Sequence, residues 1–272
     1  MNGKTLRLEK LFNKGENAVI VAIDHGMFDG PIPGMVDLKK TAEKINPGVD
    51  GVLLSPGMLR HLRFVFNRKG SPMPIVRLNW SSVYCFHWNY NKAYTVLAQS
   101  VEEAVAGGAE IVLASLTLQT GSEETDARNV EVYSRLVHAA DKLGIPLIGE
   151  YFPTHSGILS KEEMHEQVLT CCRILSELGC DLIKTFHTHD FSKVTQACPV
   201  PILGLGAEKT PTQLQALELA SREINEGARG VVFGRNAIQV PGPYDFQAAL
   251  CDVVKKNIPP AEAVQKFNLS DS

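Results

Sequence analysis

The chain has 272 residues, 44% of them hydrophobic and 21% charged, with a formal net charge of −3. So even a balance excludes general affinity for nucleic acid or an anionic membrane surface, and leaves positive charge to be sought in a pocket. No stretch is apolar for long enough to span a bilayer, the start MNGKTLRLEKLFNKGEN has no signal-peptide run, and the six cysteines contain no CxxC pair, so they read as reduced thiols of a cytoplasmic protein.

Residues 1–18 read as a polar arm with one helical turn at LRLEKLF. Val19–Ile23 is a continuous apolar run, the pattern of a strand buried on both faces, and it ends at Asp24-His25-Gly26. A Gly/Pro-rich loop follows, then a short amphipathic helix over Val36–Ile45 stopped by Asn46-Pro47-Gly48. The second strand, Gly51–Leu54, ends at Ser55 and precedes a helix over Leu59–Phe66. The third, Pro74–Leu78, ends at Asn79-Trp80. The irregular segment Ser81–Tyr94 comes next, with alternating aromatics that fit either a hairpin over a site or an oligomer contact.

A helix over Val101–Ala106 leads to the fourth strand, Ile111–Ala114, which ends at Ser115. Thr120 to Glu124 opens a long helix to Leu143, ended by Gly144. The fifth strand starts at Pro146 and reaches Glu150-Tyr151-Phe152-Pro153. Ser160 and Glu163 form a capping box for a helix that ends near Gly179. The sixth strand, Asp181–Lys184, closes on a lysine. The seventh, Pro201–Leu203, runs into Gly204-Leu205-Gly206-Ala207-Glu208-Lys209, and a helix covers Thr212–Glu226. The eighth, Gly230–Phe233, ends at Gly234-Arg235-Asn236. A helix over Phe246–Lys256 and a tail over 258–272 with one more turn complete the chain.

Strands and helices alternate strictly, about eight of each, without a linker or low-complexity stretch. The α/β class and a single (β/α)₈ TIM barrel over residues 1–272 follow, with a doubly wound open sheet as the alternative. In a barrel the active site lies at the C-terminal ends of the strands. Those ends bring Asp24, Glu150, Tyr151 and Lys184 to one mouth. Burial disfavours a charged amine, and a neutral amine among polar groups attacks carbonyl carbon to form a Schiff base. The bland alternative is a rim lysine with its head in water, or one held in an ion pair. The loops after the last two strands expose backbone N–H groups at Gly204, Gly206, Ala207 and Gly234, with Lys209 and Arg235 for charge, the usual place for a phosphate in this architecture.

VAIDHG at Val21–Gly26, DLIKT at Asp181–Thr185, GAEKT at Gly206–Thr210 and VFGRN at Val232–Asn236 resemble the motifs of the archaeal-type class I fructose-bisphosphate aldolases. That family also includes the autoinducer-2 phospho-sugar aldolase/thiolase and an aldol synthase of aromatic amino-acid precursors, and DHGMFDGP is most similar to the autoinducer-2 branch. The resemblance implies a TIM barrel, a Schiff-base lysine at Lys184, a carboxylate at Asp24, and a phosphate site at Gly206, Lys209, Gly234 and Arg235. It also implies a large homo-oligomer, often a decamer. Many members carry Tyr-Pro after the fifth strand, where the tyrosine moves protons; here that position is Phe152. Neighbouring strand residues face opposite ways, so Glu150 shares the side of Phe152, while Tyr151 reaches the mouth only if the strand twists.

The histidines read as follows. His25 orients Asp24 or holds its loop, and His187 lies close enough to the lysine strand to touch substrate. His187 and His189, with His61, His87 or Glu150, would make a metal-dependent aldolase the alternative; loop hydrogen bonding is the ordinary role. The expected function is a cofactor-free class I aldolase, without a metal, acting on a phosphorylated ketose. Acyl transfer to coenzyme A through the same lysine, and a sugar-phosphate-binding barrel without turnover, are the alternatives.

Overall fold

The computed structural model describes residues 3–88, 90, 92–154 and 159–270. Among them the strands are β1 (Ala18–Ala22), β2 (Gly51–Leu54), β3 (Met73–Arg77), β4 (Asn79–Ser81), β5 (Thr95–Leu97), β6 (Ile111–Leu116), β7 (Leu147–Tyr151), β8 (Leu182–Phe186), β9 (Ile202–Leu205) and β10 (Gly230–Phe233). Eight of them close into a barrel in the order β1-β10-β9-β8-β7-β6-β3-β2, every pairing parallel, with Ala18 opposite Gly230 and Ile20 opposite Gly51. The chain therefore folds as a (β/α)₈ TIM barrel, and the open-sheet alternative falls away.

The strands are short runs of Val, Ile and Leu because both faces are covered. Val19, Val21, Val52, Val76, Val112 and Ile183 face the helices. Ile20, Ala22, Leu53, Ile75, Leu113, Ile148, Leu182, Leu203 and Val232 fill the barrel. This two-residue period places the chemistry, because the residue two beyond an inward side chain points toward the mouth. By that count Arg77 follows Ile75, Glu150 follows Ile148 and Lys184 follows Leu182.

The N-terminal arm is more ordered than a single turn. Gly3–Leu11 is a helix, and Leu8, Leu11 and Phe12 plug the floor of the barrel. Lys4 binds Asp141 and Asp181, and Arg7 donates to the Gly144 carbonyl at 3.1 Å. Asp181, which strand alternation turns away from the mouth, also accepts from the Leu147 backbone at 2.8 Å. Apolar contact beneath the barrel stabilises a helix whose own sequence is mostly polar.

Helix ends follow their capping chemistry. Ser160 and Glu163 make both bonds of the expected box, and Ser100 with Glu103 and Thr212 with Gln215 make two more. The long helix Glu123–Leu143 stops at Gly144, whose φ of 61° suits glycine. Two helices differ from expectation. Val36–Ile45 shortens to Leu38–Ala42 because the Asp37 carboxylate caps Lys39 and Lys40. Leu59–Phe66 instead starts at Pro56 and breaks at Leu62 into a 3₁₀ turn, Arg63–Val65. A helix at Phe191–Ala197 was not legible in the sequence. Among the described residues, no helix is long and apolar enough to cross a membrane.

The irregular segment is a hairpin. β4 and β5 pair antiparallel, with 3₁₀ turns at Ser82–Tyr84 and Phe86–Trp88 between them. Positions 89 and 91 of that segment, like positions 1, 2, 271 and 272 of the arm and tail, lie outside the described residues. Tyr84 turns inward, with its ring centroid 4.6 Å from Phe28 and 4.5 Å from Phe152. Phe86, Trp88, Tyr90 and Tyr94 are about half exposed.

Candidate active site

At the C-terminal mouth a cavity of about 570 Å³ is lined by Asp24, His25, Arg77, Tyr84, Glu150, Phe152, Lys184 and Arg235, among others. Four charges lie at its base. The Arg77 Nε donates to Asp24 Oδ2 at 2.6 Å, and its Nη2 donates to Glu150 Oε2 at 2.7 Å. Glu150 Oε1 pairs with the Lys184 amine, and Oε2 also accepts from the Tyr84 hydroxyl at 2.6 Å. Asp24, Arg77, Glu150 and Lys184 are all buried. Two cations offset two carboxylates, and without that balance so many charges would not persist out of water. The register explains the proximity, since Glu150 and Lys184 are direct partners on β7 and β8.

Electrostatics fixes the protonation states. Burial pushes the Asp24 carboxyl up, but Arg77, Lys184 and His25 together outweigh it and bring it down to about 2. Burial also opposes ionisation of Glu150, and Arg77 and Lys184 hold it below the usual range. His25 goes the other way for a base. Burial, followed by Lys184, Arg235 and Arg77, lowers it to about 4 against the pull of Asp24. Its ring packs on the strand end because residue 234 is glycine, where a Cβ would overlap the imidazole.

These values set an acid-sensitivity window. The His25 side chain is 23% exposed and stays neutral in the fold down to about pH 4, whereas an unfolded histidine takes its proton near 6.5. Below that pH the unfolded chain binds the extra proton, so stability falls between about pH 6.5 and 4. Asp24 adds a second loss between about pH 3.8 and 2, where only the unfolded carboxylate has been neutralised. Denaturant midpoints are expected to drop from pH 7 to pH 5. A His25→Asn variant flattens that segment, and an equal slope in both proteins would count against the assignment.

The loop after β9 is held by Asn236. Its Nδ2 donates to the Gly206 and Glu208 carbonyls at 2.6 and 3.0 Å, and its Oδ1 accepts from the Thr210 backbone at 2.8 Å. Ala207 occupies the left-handed region at φ 49°, and Arg235 Nη2 donates to its carbonyl at 3.0 Å. Arg235 Nε has no hydrogen-bond partner among the described residues. Gly206, Ala207, Gly234 and Arg235 line the cavity.

Five residues named from sequence lie elsewhere. Tyr151 is on the helix side of β7, where its hydroxyl donates to Gln167 at 3.0 Å; the strand does not twist enough to bring it inward. Gly204 faces outward too, because a Cβ there would overlap the Glu223 carboxyl on the helix Gln213–Asn225. Lys209 is exposed and does not line the cavity. His187 contacts Glu226 at 3.3 Å and the Phe191 ring, away from the mouth. His189 stacks on His165, and among the described residues no three His, Cys, Asp or Glu side chains gather as a metal-ligand set.

Two residues were missed, Arg77 and Tyr84. Arg77 stands inside the apolar run MPIVR, and the signal was available, because it shares parity with Met73 and Ile75. Tyr84 comes from a turn outside the barrel, where no periodicity applies.

The DeoC/LacD family aldolase profile matches residues 18–240. An aldolase of Saccharolobus solfataricus, described as uncharacterized, is 32% identical over 97% of this chain and 99% of its own. The 3-hydroxy-5-phosphonooxypentane-2,4-dione thiolase of an Enterobacter species is 29% identical over 97% of this chain and 85% of its own. Among solved structures, a Schiff-base-forming fructose-1,6-bisphosphate aldolase studied through its reaction intermediates superimposes with a TM-score of 0.78 at 29% identity, over 92% of this chain and 99% of that one.

Proposed function

Since the chain belongs to the DeoC/LacD family of aldolases and is a Schiff-base-forming class I aldolase, we propose that Lys184 is its nucleophile and a phosphorylated ketose its substrate. The observation that carries this reading is the contact between Lys184 and Glu150 at the base of the mouth cavity, with Asp24 held ionised beside them. In the first step the Lys184 ammonium passes a proton to Glu150 Oε1. The neutral amine adds to the ketone carbon, and the carbonyl π pair moves to oxygen, which takes the proton back from Glu150. Glu150 next removes a proton from the new C–N nitrogen and delivers it to the carbinolamine hydroxyl, which leaves as water. The nitrogen lone pair closes the iminium.

For cleavage, a carboxylate takes the proton of the hydroxyl on the carbon beyond the bond to be broken. The C–C pair flows into the iminium to give an enamine, and the aldehyde departs. Asp24 suits this task because it is ionised at every ordinary pH and lines the same cavity. The enamine carbon regains a proton, and water releases the ketone from Lys184. The phosphate is assigned to the Gly206–Ala207 loop, Gly234 and Arg235, a reading supported by the unpartnered Arg235 Nε.

The six unpaired cysteines fit a reducing compartment such as the cytoplasm. A homo-oligomer is the assembly we favour, with the half-exposed aromatics of the hairpin as its apolar surface. The 29% identical thiolase relative supports a second reading, transfer of an acyl group from a phosphorylated diketo-sugar to coenzyme A through the same lysine. Borohydride reduction in the presence of a panel of phosphorylated ketoses tests the main proposal. A mass adduct on the peptide carrying Lys184 is expected, and turnover without any such adduct would overturn it. An acyl-coenzyme A product in the same panel would select the thiolase.

A further inference from the structure

Tyr84 is held in the site without belonging to the barrel. Its 3₁₀ turn, Ser82–Tyr84, follows β4 within the hairpin, yet the side chain is only 6% exposed and the hydroxyl lies 2.6 Å from Glu150 Oε2. Phe28 and Phe152 grip its ring, and the Arg77 guanidinium carbon lies 5.0 Å from the ring centroid. A carboxylate only accepts, so the phenol is the donor. Glu150 Oε2 therefore takes two donors, the Tyr84 O–H and Arg77 Nη2, while Oε1, among the described residues, pairs with Lys184.

We propose that Tyr84 is a positioning residue for proton transfer: with Arg77 it fixes Glu150 so that Oε1 alone exchanges protons with the Lys184 nitrogen. The proposal rests on the Schiff-base reading of Lys184. Each proton move of carbinolamine formation and dehydration then passes through one oxygen in one orientation. The carboxylate cannot rotate without giving up two charge-assisted bonds. Tyr84 itself keeps its proton throughout, because burial and the adjacent Glu150 carboxylate hold the phenol well above its usual range. The ring at position 152, two residues beyond Glu150, brings no hydroxyl, so the phenol that reaches Glu150 comes from the hairpin.

The groups facing Glu150 are Lys184 from β8, Arg77 from β3, Asp24 after β1 and Tyr84 from the turn. Only Tyr84 can lose its polar atom without changing the net charge, so Tyr84→Phe isolates the positioning bond. Removing a donor raises the proton affinity of Glu150, and the acid limb of the kcat/KM profile is expected to move up by about one pH unit. We expect kcat to fall about tenfold to a hundredfold with KM within about twofold. Borohydride trapping on Lys184 slows in proportion but reaches the same extent.

An unmoved acid limb with wild-type kcat and trapping rate would sink the proposal. If the variant folds poorly, 3-fluorotyrosine placed at position 84 keeps the ring and strengthens the donor. The acid limb is then expected to move down, and a fixed limb is again contrary. Failure of the wild-type enzyme to trap any substrate it turns over is a different result, and it strikes the assignment of Lys184 rather than that of Tyr84.

Discussion

Replacing Lys184 with methionine is expected to lower kcat by about 10⁴-fold or more and to abolish the borohydride adduct. No other amine lines the cavity, among the described residues, to form the iminium in its place. The fold is expected to survive at reduced stability, because Asp24 and Glu150 then share the single charge of Arg77. Glu150 keeps Arg77 and Tyr84 as partners, and the methionine occupies most of the volume of the lysine stem. Turnover is therefore expected to fall far more than the lowered stability explains, with the variant still folded at the assay temperature. Residual activity within about tenfold of wild type, with an intact fold, would remove Lys184 from the nucleophile role.

Arg77→Met should show its largest effect in stability. The guanidinium touches both Asp24 and Glu150, and it is 2% exposed. Without it, two buried carboxylates share the single charge of Lys184. Breaking a buried ionic cluster in this way costs about 3–5 kcal/mol. An unfolding free energy lowered by that amount, read from denaturant curves at unchanged m, is the expected result. The double variant Arg77→Met with Asp24→Asn should recover part of it, since one uncompensated charge has been removed. Lys at position 77 is a poor substitute, because an ammonium lacks the planar fork that reaches two carboxylates at once. A variant within about 1 kcal/mol of wild type would show that the cluster is far better solvated than its burial indicates.

The barrel was legible because its strands are unbroken aliphatic runs between turn signals. Once the barrel was recognised, strand parity put Glu150 and Lys184 on the same wall. The structure removed Tyr151, whose hydroxyl is spent on Gln167, and Gly204, whose missing side chain makes room for Glu223. Both sit one residue off the inward-facing parity of their strands, and the strand ends do not twist enough to change that. Arg77 was overlooked for a related reason, since a charge inside an apolar run reads as noise until its face is counted. Tyr84 was beyond this kind of reasoning. Its place depends on how far a hairpin folds back over the mouth, and that is decided by packing against Phe28 and Phe152 rather than by any period in the sequence.

Ring closure also bears on the time course of folding. The four charges come from β3, β7, β8 and the loop after β1, and β1 meets β10 only after more than 200 residues of intervening chain have been arranged, Ala18 against Gly230. An open ring would leave these groups in contact with water, so their full desolvation is expected only as the ring closes. The cluster is therefore expected to assemble late and to act as a latch on the finished ring. Interactions absent from the transition state slow unfolding and leave the folding rate alone. Arg77→Met should accordingly steepen escape from the native state, visible as a raised unfolding limb of the chevron, with refolding nearly unchanged.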